Sequence, residues 1–352
     1  AALRHERTDR VPRLLYEEVI GYVPAIEKLL REKCAPRLPR EFFDMDLTAV
    51  AAAPTALSRA RFAEWLGEDG HEAIACGEVD EWGVRWRGGS LHHFARIESP
   101  LRGIEDPGWL RRYPWPDLDE DSRWVNVERR VADLHARGLA VAAFAGSVFE
   151  QAWYLRGMDD LMADMLTRPE VAHEFLDRMA FFQRLSAERF ARAGVDILIT
   201  GDDVAGQRGL LMKIETWRTF LKPRLAATVK AVKAVNSECR VFYHSDGNVE
   251  ALIPELIEVG IDILNPVQPE CMDPAAIKRK YGRQLSFWGT VSVQKTMPFG
   301  TPDDVRREVR TRIAEVGRGG GFILAPAHVL SPEVPWENIV AFFEAANTPP
   351  PR

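Results

Sequence analysis

The sequence has little of what marks several classes of protein. It holds four cysteines in 352 residues, none in a C-x-x-C pair, which argues against a disulfide framework and against a zinc ribbon. No apolar stretch approaches the roughly 20 residues that cross a bilayer, and the N-terminal stretch AALRHERTDR is too charged for a signal peptide. We therefore expect a cytoplasmic protein with reduced thiols and no membrane contact.

An excess of positive charge is also missing. The 46 Lys and Arg residues are scattered among 52 Asp and Glu residues, and the net charge is −6. No basic stripe exists that could neutralise a phosphate backbone, so nucleic acid is not an expected partner. The G-x-S-x-G and Walker motifs are absent too, which leaves nucleophilic serine catalysis and a Walker-type nucleotide site unsupported.

Short apolar runs separated by long helical stretches dominate the chain, a pattern typical of parallel strands joined by crossover helices. Six clear and two weaker runs occupy 139–146, 195–200, 239–244, 261–266, 285–290, 321–326, 11–17 and 47–53. Eight strands alternating with helices predict an α/β fold, a (β/α)8 TIM-type barrel. Residues 76–115 interrupt this alternation of strands and helices, and their sequence predicts an inserted β-hairpin. We expect residues 1–352 to form a single barrel domain with that insertion.

Polar residues cluster directly after these apolar runs. In a barrel of this type, the loops that follow the strands converge on one mouth, where the chemistry is done. The candidates at these positions are Tyr16, Glu17, Glu150, Asp202, Asp203, His244, Asp246, Asn265, Gln268, Trp288 and His328. The sequence therefore predicts a polar site at the carboxyl end of the barrel.

The stretch VFYHSDGN suggests a metal site. His244 and Asp246 are two residues apart at an extended strand end, so both side chains can face the barrel axis. His328 follows the last strand, which barrel closure brings near the early ones. Two imidazoles and a carboxylate that leave one coordination position open are typical ligands of a catalytic metal, and Glu150 could complete the coordination shell. The alternative is that His244 hydrogen-bonds to Asp246 or to the backbone while His328 packs under a loop.

The stretch ITGDDVAGQRG carries two adjacent carboxylates. Asp202 and Asp203 could act as a general base, accept hydrogen bonds from a substrate or support a metal ligand. The alternative is that one of them caps the next helix, which is expected to begin near residue 213. Gln207 and Arg208 in the same loop are candidates for binding an anionic or oxygen-rich substrate.

Three segments, 201–212, 241–268 and 300–328, resemble the uroporphyrinogen decarboxylase superfamily, and within it the branch that includes corrinoid-dependent methyltransferases. The resemblance implies a (β/α)8 barrel and a bound zinc. That branch has His-x-Cys after the fifth strand and a further Cys or His after the last. His244 and His328 match, but Asp246 stands where Cys is usual. A carboxylate is a harder ligand than a thiolate and suits activation of an oxygen rather than a sulfur.

The front of the chain departs from true uroporphyrinogen decarboxylases. Their Arg-Gln-Ala-Gly-Arg-Tyr motif binds substrate carboxylates through its arginines, whereas the corresponding stretch here is RVPRLLYEEVIGY. The Glu17-Glu18 pair would repel a polycarboxylate in a closed mouth. Porphyrinogen decarboxylation is therefore disfavoured.

The resemblance implies a methyltransferase that moves a methyl group from a small O-methyl or N-methyl substrate to a corrinoid carried by a partner protein, assisted by zinc. From this reaction and from the residues that follow the apolar runs, we expect three groups of site residues. The expected catalytic residues are His244, Asp202 and Asp203. The expected substrate-binding residues are Tyr16, Glu17, Gln207, Arg208, Asn265, Gln268 and Trp288, and the expected metal ligands are His244, Asp246, His328 and Glu150. The alternatives are a cofactor-independent decarboxylase or lyase, and a non-catalytic barrel subunit. A homodimer is also expected.

Overall fold

The apolar runs of the sequence form the strands of the protein. The computed structural model describes residues 1–6, 8–54, 62, 65–66, 70–88 and 95–349. The strands are β1 Leu47–Val50, β2 Arg85–Gly88, β3 Ala95–Glu98, β4 Ala140–Phe144, β5 Ile197–Gly201, β6 Ala205–Gly206, β7 Gly209–Leu210, β8 Arg240–His244, β9 Ile263–Asn265, β10 Ser286–Trp288 and β11 Phe322–Ile323.

Seven of these strands make one sheet, in the order β1-β4-β5-β8-β9-β10-β11. Every neighbouring pair is parallel. Because strand order follows chain order, each helical connection crosses to the adjacent strand, as in a singly wound barrel. Most residues of these strands are buried, whichever face of the sheet they occupy, which explains their continuous apolar character.

The segment after residue 10 closes the ring between β11 and β1. Arg13 forms a parallel bridge with Leu324, and the Leu324 N–H donates to the Pro12 carbonyl at 2.8 Å. On the other side, the Asp46 N–H donates to the Arg13 carbonyl at 3.2 Å. The pairing is shorter than the strand predicted over 11–17, because Pro12 has no N–H to donate and a helix begins at Glu17. The predicted α/β barrel is confirmed.

Helices cover the outside of the sheet. They are α1 Glu17–Ile20, α2 Pro24–Cys34, α3 Pro39–Phe42, α4 Gly70–Ala75, α5 Trp109–Arg112, α6 Val127–Ala136, α7 Phe149–Arg156, α8 Met158–Thr167, α9 Pro169–Arg192, α10 Ile214–Phe220, α11 Lys222–Val235, α12 Ile253–Val259, α13 Pro274–Tyr281, α14 Thr296–Phe299, α15 Pro302–Glu315 and α16 Trp336–Ala345. Short 3-10 turns occupy Ala2–Arg4, Asp121–Arg123 and Glu250–Leu252. In the described part of the chain, no helix is both long and apolar enough to cross a membrane.

The start of α15 illustrates how sequence sets a helix boundary. Thr301 accepts a hydrogen bond from the Asp304 N–H at 3.2 Å, and the Asp304 carboxylate accepts from the Thr301 N–H at 2.9 Å. This reciprocal capping box satisfies two backbone donors that the first turn leaves unpaired. Val305, Val309 and Ile313 follow at intervals of four and pack into the core.

Two antiparallel hairpins depart from the barrel. β2 and β3 pair with Arg85 opposite Glu98, within the range where a hairpin was predicted, and the residues of its loop, 89–94, lie outside the described part of the chain. β6 and β7 form a second, very short hairpin directly after β5. The sequence of that stretch predicts a loop, because two-residue strands carry no alternation that could reveal them.

Candidate metal centre at the barrel mouth

His244 ends β8 with its ring held in one orientation. Its Nδ1 lies 2.7 Å from Asn265 Oδ1, and Asn265 Nδ2 donates to the Trp288 carbonyl at 2.8 Å. Because the amide nitrogen must face that carbonyl, the amide oxygen faces His244, and Nδ1 is the protonated nitrogen. The Nε2 lone pair is then left to coordinate a ligand.

Asp246 follows the strand and is held by an amide. Gln268 Nε2 donates to Asp246 Oδ1 at 3.1 Å, while Gln268 Oε1 accepts from the Gly247 N–H at 2.8 Å. The backbone N–H of Asp246 donates to Asp203 Oδ1 at 2.7 Å. The loop and the carboxylate are therefore fixed by the same glutamine.

His328, after β11, completes a convergent group. His244 Nε2 lies 3.9 Å from Asp246 Oδ1, and His328 Nε2 lies 3.9 Å from Asp246 Oδ2. One donor atom from each of the three residues lies within 4.8 Å of the others. These separations exceed a hydrogen bond, whereas ligands about 2.0–2.1 Å from one zinc lie up to about 4 Å apart. Small side-chain rotations would thus suffice for His244, Asp246 and His328 to hold one metal ion.

Tyr16 lies against both imidazoles. Its ring centroid is 5.9 Å from that of His244 and 5.9 Å from that of His328, and its hydroxyl is 3.3 Å from His244 Nδ1. Trp288 meets the Tyr16 ring edge-on at 6.2 Å. Burial, reinforced by the charges of Asp246 and Asp203, raises the pKa of Tyr16 well above its ordinary value, so the phenol stays neutral.

The charges around His244 favour its protonated form when no metal is bound. Burial alone lowers the pKa of His244, but the carboxylates of Asp203 and Asp246 and the hydrogen bond to Asn265 outweigh it, so the pKa is raised. Asp203 Oδ1 lies 3.6 Å from His244 Nε2. The same carboxylates that favour a proton on this nitrogen would also favour a metal cation there.

Asp202 and Asp203 have different surroundings. Asp202 is buried, and its Oδ1 accepts from the N–H groups of Phe149 at 2.6 Å and Glu150 at 3.0 Å, at the start of α7. Burial and the charge of Glu150 raise the pKa of Asp202 well above its ordinary value. The helix that Asp202 caps is α7 and not the following helix α10, because the hairpin of β6 and β7 separates Asp202 from α10. Asp203 is the member of the pair that faces His244.

Glu150 is not a member of the convergent group. Its Oε1 accepts a hydrogen bond from the Tyr154 hydroxyl at 2.9 Å. Burial, with the neighbouring charge of Asp203, raises the pKa of Glu150 to about 7. This carboxyl can therefore hold a proton near neutral pH, at the edge of the candidate metal centre.

Comparison with known proteins identifies the family of this chain. The model of the family described as Uroporphyrinogen decarboxylase (URO-D) matches residues 95–349. The chain belongs to the uroporphyrinogen decarboxylase family. The resemblance inferred from three segments is thereby confirmed.

Relatives that are similar in sequence carry two different names. A methylated-thiol–coenzyme M methyltransferase of Methanosarcina mazei is 28% identical over 68% of this chain, and the alignment covers 62% of that protein. A uroporphyrinogen decarboxylase of Legionella pneumophila is 23% identical over 74% of each chain. A solved methyltransferase from Methanosarcina mazei superposes with a TM-score of 0.68 and 18% identity, covering 99% of this chain and 96% of that one, which supports the fold.

The remaining predicted residues are not members of the convergent group of His244, Asp246 and His328. Gln207 and Arg208 form the exposed tip of the hairpin between β6 and β7, where Gln207 Nε2 donates to Gln294 Oε1 at 3.3 Å. Asn265 and Gln268 are predicted to bind substrate, and in the structure their amides are hydrogen-bonded to His244 and Asp246. Glu17 begins α1, and its side chain lies outside the described part of the structure.

A cavity that the sequence does not predict lies beside the mouth. It has a volume of about 620 Å³ and lies between the carboxyl ends of β1 and β4 and one face of α9. Phe144, the last residue of β4, lines it and is 49% exposed. No signal in the sequence distinguished this phenylalanine from the buried residues of the same apolar run. Only the observed burial shows that it faces an open space.

Proposed function

We propose that this protein takes a methyl group from a small O-methyl or N-methyl compound and passes it to a corrinoid carried by a partner protein. The observation that carries the proposal is the convergence of His244, Asp246 and His328, with one donor atom of each within 4.8 Å of the others. The similarity to a relative named as a methyltransferase supports the same reaction class.

His244, Asp246 and His328 would hold zinc or a similar divalent metal. When bound, the metal is a Lewis acid that polarises the leaving heteroatom, and the corrinoid of the partner protein is the nucleophile that takes the methyl group. The carbon–heteroatom bond breaks, the electron pair stays on the heteroatom, and the heteroatom needs a proton.

The protein's own groups would prepare this step. Asn265 keeps His244 in the tautomer that presents Nε2, and Gln268 keeps Asp246 turned toward it. Glu150, whose pKa is raised to about 7, can hold a proton on its carboxyl group and give it to the leaving heteroatom. Asp203, beside His244, would orient the substrate or assist that proton transfer.

The carboxylate at position 246 favours oxygen over sulfur as the activated atom. A carboxylate transfers less negative charge to a metal than a thiolate and leaves a harder Lewis acid. We therefore expect O-methyl and N-methyl compounds to be better donors than methyl thioethers. In the matched variant Asp246→Cys, we expect tighter zinc binding and a shift in preference toward methyl thioethers.

The test combines metal analysis with a methyl-transfer assay. The protein is reconstituted with zinc and incubated with cob(I)alamin and O-methyl, N-methyl or S-methyl donors, and methylcobalamin is measured by absorbance. We expect one zinc per chain, transfer from O- or N-methyl donors, and loss of both in His244→Ala. His135→Ala is the control, since His135 lies on α6 and bonds to Asp196 at 2.9 Å.

Two outcomes would contradict the proposal. Full activity in His244→Ala would remove the metal centre from the mechanism. A metal-free protein of native stability that transfers no methyl group would favour the decarboxylase or the non-catalytic subunit. The corrinoid protein as partner, a homodimer and a cytoplasmic location stay predictions.

A further inference from the structure

The cavity beside the barrel mouth has the size of a ligand site. Its volume of about 620 Å³ falls within the range of roughly 300–1,000 Å³ that is usual for small-molecule pockets. Ser147 and Gln151 line it and flank Glu150 in the sequence. The cavity therefore lies on the same face of the barrel as the candidate metal centre and close to its proton-holding carboxyl group.

Aromatic side chains form much of the cavity wall. Phe144 pairs in register with Ile199 of β5, yet Ile199 is 1% exposed and Phe144 is 49% exposed. Trp82 and Phe182 also line the cavity and meet edge-on at 5.2 Å. A phenylalanine exposed on a central strand costs hydrophobic free energy unless something apolar covers it. Aromatic walls suit a flat, aromatic ligand body, which they can contact face-on and edge-on.

The polar groups of the cavity favour an anion. Both carboxylates that line it are engaged: Glu81 is ion-paired with Arg123, and Glu18 accepts from the Tyr22 hydroxyl. Two buried donor atoms, Arg123 Nε and Gln151 Nε2, have no hydrogen-bond partner among the described residues. Both donor atoms are covered by protein, so what favours an anion here is that the two lining carboxylates of the described chain are already engaged.

Arg130 adds an unpaired positive charge at the same cavity. It lines the cavity, and none of the ion pairs between described residues involves its guanidinium. Its neighbour in sequence, Arg129, does not line the cavity and donates to Asn126 Oδ1 at 3.0 Å. A guanidinium beside an apolar pocket is well suited to a carboxylate, which it can bind with two parallel hydrogen bonds.

We propose that this cavity binds a small aromatic carboxylate, with its ring against Phe144 and its carboxylate toward Arg130. Such a molecule fills an aromatic-walled space and brings its carboxylate to the guanidinium of Arg130, which has no ion-pair partner among the described residues. The identification of this ligand as the substrate rests on the proposed function: the methyl donor would then be a methoxy- or methylamino-substituted aromatic acid. Binding itself requires neither metal nor corrinoid.

The test measures binding of 4-methoxybenzoate to the metal-free protein by isothermal titration calorimetry. We expect saturable binding that weakens about tenfold or more in Arg130→Gln, from the loss of a charge-assisted contact, and by a similar factor in Phe144→Ala. Arg129→Gln and Phe181→Ala are the matched controls. Phe181 is 46% exposed and lies on α9 without lining the cavity. The neutral 4-methoxybenzyl alcohol should bind at least tenfold more weakly than the acid.

The outcomes separate this inference from the proposed function. No saturable binding, or binding that is equally strong in all four variants, would overturn the aromatic carboxylate site, even if methyl transfer from other donors is observed. Binding with the expected pattern but no methyl transfer from 4-methoxybenzoate to cob(I)alamin would leave the site in place and count against the proposed reaction.

Discussion

Replacing Asn265 with leucine tests how the candidate metal centre is organised. Asn265 is fully buried, its Oδ1 accepts from His244 Nδ1 at 2.7 Å, and its Nδ2 donates to the Trp288 carbonyl at 2.8 Å. Leucine has a similar size but leaves two buried polar groups unpaired, each at a cost of about 1–3 kcal/mol. We expect Asn265→Leu to lower the free energy of unfolding by about 2–6 kcal/mol.

The same change should weaken metal binding by a separate route. Without Asn265, His244 Nδ1 keeps only the more distant Tyr16 hydroxyl, at 3.3 Å, so the ring is held less firmly in its tautomer and orientation. Losses of roughly 10–100-fold in metal affinity are typical for such outer partners. Zinc affinity is measured by competition with a chromophoric chelator under conditions where the variant is folded. Urea unfolding of the metal-free protein measures the change in the free energy of unfolding separately.

Asn338→Leu is the matched control. Asn338 is also fully buried, and its Nδ2 donates to the carbonyls of Met297 and Gly300, each at 2.8 Å. This variant should lose a similar amount of stability and keep its zinc affinity. If Asn265→Leu binds zinc as tightly as Asn338→Leu, the role assigned to the His244 tautomer is refuted.

Three further predictions concern the loops at the mouth. Burial raises the pKa of Glu150 from 4.5 to about 7, so the folded state binds a proton that the unfolded state releases, and the free energy of unfolding falls as pH rises between these values. Urea unfolding of Glu150→Gln at several pH values should lack this contribution, which amounts to about 3 kcal/mol in all. Gln268→Met should lower zinc affinity about tenfold by releasing Asp246, and an unchanged affinity would show that the loop holds Asp246 alone. Gly247 has φ +85°, and an added Cβ would lie 2.5 Å from the Gly206 carbonyl oxygen. Gly138 is the control, because its φ is +77° and no atom lies within 4 Å of an added Cβ. Gly247→Ala should therefore lower the free energy of unfolding by about 1–3 kcal/mol more than Gly138→Ala.

The barrel could be predicted because the residues of its seven parallel strands are mostly buried and therefore apolar. The run at 239–244 became β8, Arg240–His244, and the polar residues directly after it marked the carboxyl end. Since parallel strands share one mouth, His244 and His328 could be expected to meet although they lie far apart in sequence. The run at 321–326 gave only the two-residue strand Phe322–Ile323, because its pairing continues as isolated bridges, from Leu324 to Arg13 and from Pro326 to Val291.

The partners of polar side chains could not be predicted in the same way. Asp202 caps a helix that begins 53 positions earlier, and capping across such a separation leaves no local pattern. Asn265 and Gln268 follow a strand just as substrate-binding residues do, and only the coordinates show that their amides hold His244 and Asp246. The openness around Phe144 depends on three elements distant in sequence, so composition alone could not reveal it.

The closure of the barrel makes the candidate metal centre a reporter of complete folding. Tyr16 follows the segment that pairs with β11, and His328 follows β11 itself, so the site straddles the seam of the ring. Near that seam Arg13 donates to Asn347, 334 positions away, and contacts of such sequence separation pay their loop-closure entropy before they gain stability. A partly folded chain can carry His244 and Asp246 on formed strands and still lack the third ligand. Metal uptake during refolding should therefore coincide with the joining of the two chain ends, later than the formation of the central strands.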